Sequence, residues 1–133
     1  MGQDLLIPLW GGTRPYIGAV GIAVPRNRLK DPNKWNATFS NFTFLGHKEN
    51  TLGKKISERL ATQLRRNVVV TAGHHWDSIT PQEIKIVVNL TKKLSERILD
   101  KLLPPGKGRK RYNEDDVKKD ECLLGPRDGD PSP

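Results

Sequence analysis

Short apolar runs separated by turn residues occupy the first 45 positions of the chain, which is the pattern of β-strands. Three strands are predicted, over residues 4–10, 16–24 and 35–45. Pro8 places the first strand at a sheet edge, because proline cannot donate to a hydrogen-bond ladder. The glycine turn at Gly11-Gly12 predicts that the first two strands pair antiparallel. In the third strand the apolar residues change parity between Phe39 and Phe42, which predicts a bulge between them.

Helical spacing begins after the third strand. Over residues 51–66, apolar side chains recur every four positions and predict a first helix. Residues 68–71 form a β-branched run, which is too short for a helix and suits a buried strand. Gly73 is expected to end that strand.

A second helix is predicted from Pro81 to about Leu103. Thr80 suits its N-cap and Pro81 its first position, while Glu83 can complete a capping box. The apolar surface of this helix is broad, which indicates burial on two sides, including a subunit interface at positions such as Val88.

The order β-β-β-α-β-α predicts an α+β fold, a small mainly antiparallel sheet with two helices packed on one face. Residues 1–103 are expected to form a single domain. Residues 104–133 combine mixed charges, few apolar side chains and closing prolines, so a disordered tail is predicted there. Large aromatic side chains are numerous for so small a domain, and some are expected at a homodimer contact. They are Tyr16, Trp35, Phe39, Phe42, Phe44 and Trp76.

Composition adds a basic charge to this picture. The 133 residues carry a formal charge of +8. Residues 104–133 contain seven basic and seven acidic side chains, so the excess falls on residues 1–103. A basic domain favours anionic partners such as a phosphate, a nucleic acid or an acidic protein surface, although solubility alone is the competing explanation.

The same totals bear on location. Mean hydropathy is −0.63, and no apolar run approaches the ~20 residues that a membrane helix needs. The N-terminus shows no signal-peptide pattern. Cys122 is the one cysteine and has no partner for an internal disulfide, which fits a reducing compartment. A cytoplasmic protein is expected.

Metal binding and catalysis find little support in the residues. A metal site would have to be built from His47, His74, His75 and Asp77. Adjacent His74 and His75 lie on opposite sides of an extended chain, so one ion would not be bound easily by both. HExxH, CxxC and GxSxG motifs are absent, and no pair of carboxylates suggests acid–base catalysis. Neither a metal site nor an enzyme is predicted.

Phosphate binding is the best-supported chemistry. The Gly-Gly-Thr-Arg run at residues 11–14 supplies backbone N–H groups, a hydroxyl and a guanidinium, which suit phosphate oxygens. His47 and Lys48 add donors at another strand end, and the helix that begins at Pro81 adds the positive end of its dipole. The alternative is that the glycines form only a hairpin turn. Walker A and GxGxxG sequences are absent, so nucleotide hydrolysis and dinucleotide binding are not indicated.

A series of short motifs resembles a known family. The series is Gly11-Gly12-Thr13-x-Pro15-x-Ile17-Gly18, Gly46-His47-Lys48, Ile56-Ser57-Glu58-Arg59 and Thr71-Ala72-Gly73-x-His75 followed by Ile79-Thr80. In order and spacing it resembles the small D subunit associated with gallate and related hydroxyarene decarboxylases. That family is also described as a prenylated-flavin chaperone, and it is similar to the proteasome assembly chaperone 4 fold. The match covers residues 6–102.

The resemblance implies a dimeric, non-catalytic accessory subunit of a large UbiD-type decarboxylase, whose cofactor is prenylated FMN. It also implies a ligand cleft. The cleft residues are Gly11, Gly12, Thr13, Arg14, His47, Lys48 and His75. On this basis the glycines and the threonine approach the flavin phosphate or an acidic protein loop, the cations supply charge, and the histidines orient the ligand or satisfy backbone groups.

Two departures from the family pattern bear on the ligand. Tyr16 stands where relatives often have histidine, and His74 where they usually have an apolar residue. A competing hypothesis is therefore a protein-assembly chaperone that uses its apolar sheet face or a helix to hold a partner subunit and has no small ligand. A nucleic-acid binder is less well supported, because the aromatic residues do not form an RNP-like motif.

Overall fold

The computed structural model describes residues 2–14, 16–44, 50–75 and 77–103. The chain forms four strands and two helices in the predicted order. They are β1 (Leu5–Gly12), β2 (Ala19–Asn27), β3 (Trp35–Thr43), α1 (Asn50–Leu64), β4 (Val68–His75) and α2 (Pro81–Leu102). Within the described residues, no helix is long and apolar enough to cross a membrane.

The sheet is mixed, with strand order β1-β4-β2-β3. β4 lies between the first two strands, parallel to β1 and antiparallel to β2. The predicted hairpin between β1 and β2 is therefore wrong, and Gly11 and Gly12 are the last residues of β1 rather than a turn. The apolar β-branched run that begins β4 is suited to an interior strand, and its Val68 and Val70 side chains are buried in the core on the helix side. Pro8 lies in the edge strand β1, as predicted.

The pairing of β2 with β3 runs without interruption from Ala19 opposite Thr43 to Asn27 opposite Trp35. The predicted bulge in β3 is therefore wrong. The change of parity instead marks a change of environment: Phe39 faces the helices, while Phe42 lies on the opposite face and is exposed. The apolar residues of a strand can change parity without a bulge when both faces of the strand carry apolar side chains.

Both helices lie on one side of the sheet. α1 packs directly on β2, β3 and β4, and α2 packs on α1. The four-residue repeat of α1 is buried, as predicted, and Leu99 of α2 joins the same core. An ion pair between Arg59 and Glu96 connects the two helices. The core is formed by Ala23, Ala37, Ile56, Leu60, Ala61, Leu64, Val68, Val70 and Leu99.

The N-terminus of α2 has the predicted capping box. The Thr80 hydroxyl accepts from the Glu83 N–H, and the Glu83 carboxylate accepts from the Thr80 N–H at 2.8 Å. The prediction that Val88 lies at a subunit interface is wrong, because Val88 is fully buried within the domain. The exposed apolar side chains of α2 are instead Ile86, Leu90, Leu94 and Leu102.

The aromatic residues of β3, together with Phe44 directly after it, divide between the two sides of the sheet, while Trp76 lies outside the described residues. Trp35 and Phe39 lie on the helix side, where Arg65 stacks over Trp35 at 4.9 Å and Lys54 lies 5.8 Å from the Phe39 ring centre. Phe42 contacts Phe44 edge to face, and both are exposed. The predicted tail at residues 104–133 and Cys122 lie outside the described residues.

Candidate functional site

Four chain segments meet at one edge of the sheet. Because β1 and β4 are parallel, they end side by side, with Gly12 opposite His75. β2 starts at the same edge, where the Gly18 N–H donates to the Ala72 carbonyl at 2.9 Å. The Phe44 N–H donates in turn to the Gly18 carbonyl at 2.8 Å, which brings the end of β3 alongside. The region beyond the carboxyl ends of parallel strands is where open α/β sheets bind ligands.

The glycines of this edge are required by the backbone of the neighbouring strand. Gly12 has a φ of +86°, and a Cβ built there would lie 2.1 Å from the His75 carbonyl oxygen. The next N–H, that of Thr13, donates to the same carbonyl at 2.7 Å. The expectation that this run offers a cradle of backbone donors therefore does not hold at Thr13, whose N–H is already bonded. Its side chain is exposed and leaves the hydroxyl accessible.

A second close approach between backbone segments occurs at Gly73. A Cβ at Gly73 would lie 1.5 Å from the Tyr16 carbonyl oxygen, so the segment before β2 crosses β4 at this residue. The prediction that Gly73 ends the strand is therefore wrong. β4 continues through Gly73 to His75, and the absence of a side chain at Gly73 leaves room for the backbone of Tyr16 to cross it. The crossing places the Tyr16 ring edge-on to the His75 imidazole, with ring centres 6.4 Å apart.

His75 and Asp77 form a polar pair beside the glycines. Asp77 Oδ1 lies 3.2 Å from His75 Nε2, and both side chains are about half exposed. The left-handed backbone of Ser78 (φ 65°) turns the chain directly after the carboxylate. A carboxylate at Nε2 favours the tautomer protonated there, which leaves Nδ1 as an acceptor for a ligand N–H. Sequence reasoning considered Asp77 only as a metal ligand, although its position two residues after His75 was the available signal.

The N-terminus of α2 contributes less positive potential than expected. Its capping box satisfies the Glu83 N–H, the Ile84 N–H donates to the Thr80 carbonyl, and Pro81 has none to offer. The Glu83 carboxylate also places a negative charge at the positive end of the helix dipole. These contacts reduce the support that this helix end can give to an anion.

Five of the seven predicted cleft residues lie at this edge. Gly11 pairs with His74 and Gly12 with His75, while Thr13 and Arg14 continue directly from β1 as exposed residues. His47 and Lys48 lie outside the described residues. Among the residues that the structure describes, no group of three or more histidines, cysteines or acids could hold a metal ion. The edge thus combines a guanidinium, a hydroxyl, a histidine–aspartate pair and a tyrosine.

Comparison with known proteins identifies the family of this chain. Residues 1–103 match the family model described as the prenylated flavin chaperone LpdD-like domain. Protein LpdD from Lactiplantibacillus plantarum is 30% identical over 99 residues, which are 74% of this chain and 69% of that protein. The family resemblance predicted from short motifs is thereby confirmed. The chain belongs to the prenylated flavin chaperone LpdD-like family.

Proposed function

We propose that this chain binds prenylated FMN at the edge formed by β1, β2 and β4 and delivers it, as a cytoplasmic homodimer, to the large subunit of a UbiD-type decarboxylase. The family is one of chaperones, so the chain is a non-catalytic accessory protein. The observation that carries the proposal is that β1 and β4 end side by side, so that Thr13 and Arg14 follow one strand next to the His75–Asp77 pair that follows the other.

The residues at this edge fit the chemistry of a flavin mononucleotide. Its phosphate suits the Arg14 guanidinium, which can bind two oxygens at once, and the Thr13 hydroxyl. Its flat ring system suits exposed apolar groups beside the polar ones. Trp10, Ile17 and Phe44 supply these, since each is at least 47% exposed and belongs to a segment that reaches this edge.

The histidine–aspartate pair gives the edge a directional contact. In the tautomer protonated at Nε2, next to Asp77, His75 would accept at Nδ1 from an N–H of a bound flavin. Prenylated FMN supplies the chemistry of decarboxylation once it is in the decarboxylase. The residues of this chain would bind and orient the cofactor, with the Tyr16 ring, edge-on to His75, as a further contact beside it.

Titration of the full chain with FMN and prenylated FMN tests this proposal, with flavin fluorescence and calorimetry as readouts. Arg14→Ala removes a charge-assisted bond to phosphate and should weaken binding by about 10- to 100-fold. Arg28→Ala is the matched control, because Arg28 is an exposed arginine in the loop between β2 and β3, at the opposite end of the sheet. Equal losses in both variants, or no saturable binding of either flavin, would contradict the assignment.

The exposed face of α2 favours a second candidate function, that of a protein-assembly chaperone without a small ligand. Ile86, Leu90 and Leu94 recur every four residues on that face and are exposed. Lys93 and Arg97 border them, so the helix suits an apolar partner surface with acidic surroundings. If the full chain binds no flavin but retains a large partner subunit, and Leu90→Asp releases that subunit, the second function replaces the first.

A further inference from the structure

β3 forms one edge of the sheet, and its outer side lacks the usual protections against pairing. In the part of the chain that the structure describes, β3 pairs with β2 on one side and with no strand on the other. About half of its backbone N–H and C=O groups therefore point away from the sheet, and these are here called the β3 edge. The strand is nine residues long, Trp35–Thr43, and contains neither a proline nor a charged side chain.

The two edges of the sheet differ in this respect. Edge strands of natural proteins are usually short, bulged, or interrupted by proline or charge, because an open ladder pairs with any extended chain that it meets. β1 follows this rule, since Pro8 lies within it and Gly12 ends it with a φ of +86°. β3 does not, because its register with β2 is unbroken over nine residue pairs. An unprotected edge of this length is suited to the addition of a strand from another protein.

Two cations of α1 lie on the helix side of β3. The Arg65 guanidinium stacks over the Trp35 ring at 4.9 Å, and the Lys54 ammonium lies 5.8 Å from the centre of the Phe39 ring. Both cationic side chains are exposed. A strand added to β3 would lie about 4.8 Å further out, so the side chains that it directs to the helix side come within reach of both cations.

The spacing of these cations defines a charge pattern for the added strand. Trp35 and Phe39 are four residues apart on the same face of β3, which separates them by about 13 Å along the strand. Two carboxylates four residues apart in the added strand would therefore meet Arg65 and Lys54 together. Glu58 lies between the two cations on the same stripe of α1, so the position halfway between the carboxylates should be uncharged.

The loop before β3 strengthens the preference for an acidic partner. Arg28 and Lys30 are exposed in it, while its one acid, Asp31, lies 3.4 Å from the Lys34 ammonium. The Arg28 N–H donates to the Lys34 carbonyl at 2.8 Å, which keeps these charges next to the start of β3. Since the whole chain carries a charge of +8, an acidic segment of a different protein is a better occupant than a second copy.

We propose that the β3 edge binds an extended segment of a partner protein as a fifth strand of the sheet, with two carboxylates four residues apart directed to Arg65 and Lys54. Main-chain hydrogen bonds supply the affinity, and the two charge contacts fix the register and the choice of partner. The proposal does not depend on the flavin assignment, because neither cation belongs to the edge formed by the ends of β1 and β4 and the start of β2.

Calorimetric titration of the full chain with three capped synthetic peptides tests the charge pattern. The first, Val-Glu-Val-Thr-Val-Glu-Val, has the predicted spacing and reads the same in both directions, so it suits either strand orientation. The second has lysine in place of glutamate. The third, Val-Glu-Val-Glu-Val-Thr-Val, has the composition of the first with its carboxylates two residues apart. The first should bind about 5-fold or more tightly than the other two, the effect of about 1 kcal/mol for an exposed ion pair. Equal binding of all three, or no binding of the first at about 1 mM, overturns the proposal.

Two methylated versions of the first peptide separate strand pairing from charge attraction. One carries N-methyl groups on its odd-numbered residues and the other on its even-numbered residues. Only one of these sets of N–H groups faces β3 in an added strand, so one version should lose binding and the other should retain most of it. Equal effects of the two methylation patterns would show that the peptide does not pair as a strand.

A charge exchange on the protein locates the binding site. The double variant Lys54→Glu with Arg65→Glu should bind the lysine peptide more tightly than the glutamate peptide, which reverses the wild-type preference. Lys93→Glu is the matched control, because Lys93 is exposed on α2, which packs on α1, and its substitution should leave the preference unchanged. A wild-type preference in the double variant contradicts the proposal. The peptide comparisons above use the wild-type chain and so do not require this variant to fold.

Discussion

Replacing Gly73 by alanine tests whether the crossing of β4 by the Tyr16 segment holds this end of the domain together. The new Cβ would lie 1.5 Å from the Tyr16 carbonyl oxygen and 3.3 Å from the Gly18 nitrogen. Both neighbours are backbone atoms, so no rotamer change can relieve the overlap. The segment must move away from the sheet.

The magnitude follows from what that movement breaks. Overpacking of a close-packed contact destabilises by about 1–3 kcal/mol. Displacing the segment also strains or breaks the bond from the Gly18 N–H to the Ala72 carbonyl, and both residues are buried. Leaving such a pair unsatisfied adds about 1–3 kcal/mol. Gly73→Ala should therefore lower the free energy of unfolding by about 2–6 kcal/mol, against a usual total of about 5–15 kcal/mol.

Urea denaturation followed by circular dichroism measures this loss, and Gly53→Ala is the matched control. Gly53 is buried within α1, and a Cβ there would lie 3.6 Å from both Ala72 Cβ and Val70 Cγ1, which is ordinary van der Waals contact. Alanine favours a helix over glycine by about 1 kcal/mol. The same substitution should therefore stabilise the protein at one position and destabilise it at the other.

Two results would refute this reasoning. One is a free energy of unfolding for Gly73→Ala that lies within about 0.5 kcal/mol of the wild-type value, which is the range of neutral surface substitutions. The other is equal destabilisation by Gly53→Ala, which would show that any added methyl group is harmful at this end of the domain.

Three further substitutions test the helices, each by urea denaturation. Thr80→Ala removes the capping box of α2 and should cost about 1 kcal/mol; an unchanged midpoint would mean that the cap is not formed in solution. Val88→Ala should lower the free energy of unfolding by about 1.5–2.5 kcal/mol, because Val88 is fully buried. Leu90→Ala on the exposed face should change it by no more than about 0.5 kcal/mol. A larger loss for Leu90→Ala than for Val88→Ala would contradict the burial of Val88 within the domain. Glu96→Ala leaves the largely buried Arg59 without this partner and should cost about 2 kcal/mol, and a smaller loss in high salt than in low salt would indicate an exposed pair instead.

The sequence by itself determined the kinds of elements and their order. Local signals suffice for that: the four-residue repeat of α1 and the Thr80–Glu83 capping box each act within a few residues. The edge position of β1 was also predictable, because Pro8 lacks the donor that an interior strand needs. The family and its chaperone role followed from short motifs in the right order, and the comparisons confirm both.

Strand order and the makeup of the candidate site were decided by the tertiary structure. Nothing local to Gly11 and Gly12 shows that a strand about 60 residues away will insert beside them, since parallel pairing is a contact between distant segments. The same holds for Gly73, which must lack a side chain because the Tyr16 backbone crosses it, and its neighbours in sequence give no sign of this. The change in parity of the apolar residues along β3 could not distinguish a bulge from a strand with two apolar faces. Which of these occurs depends on what covers the sheet, and that is a property of the packed chain and its partners.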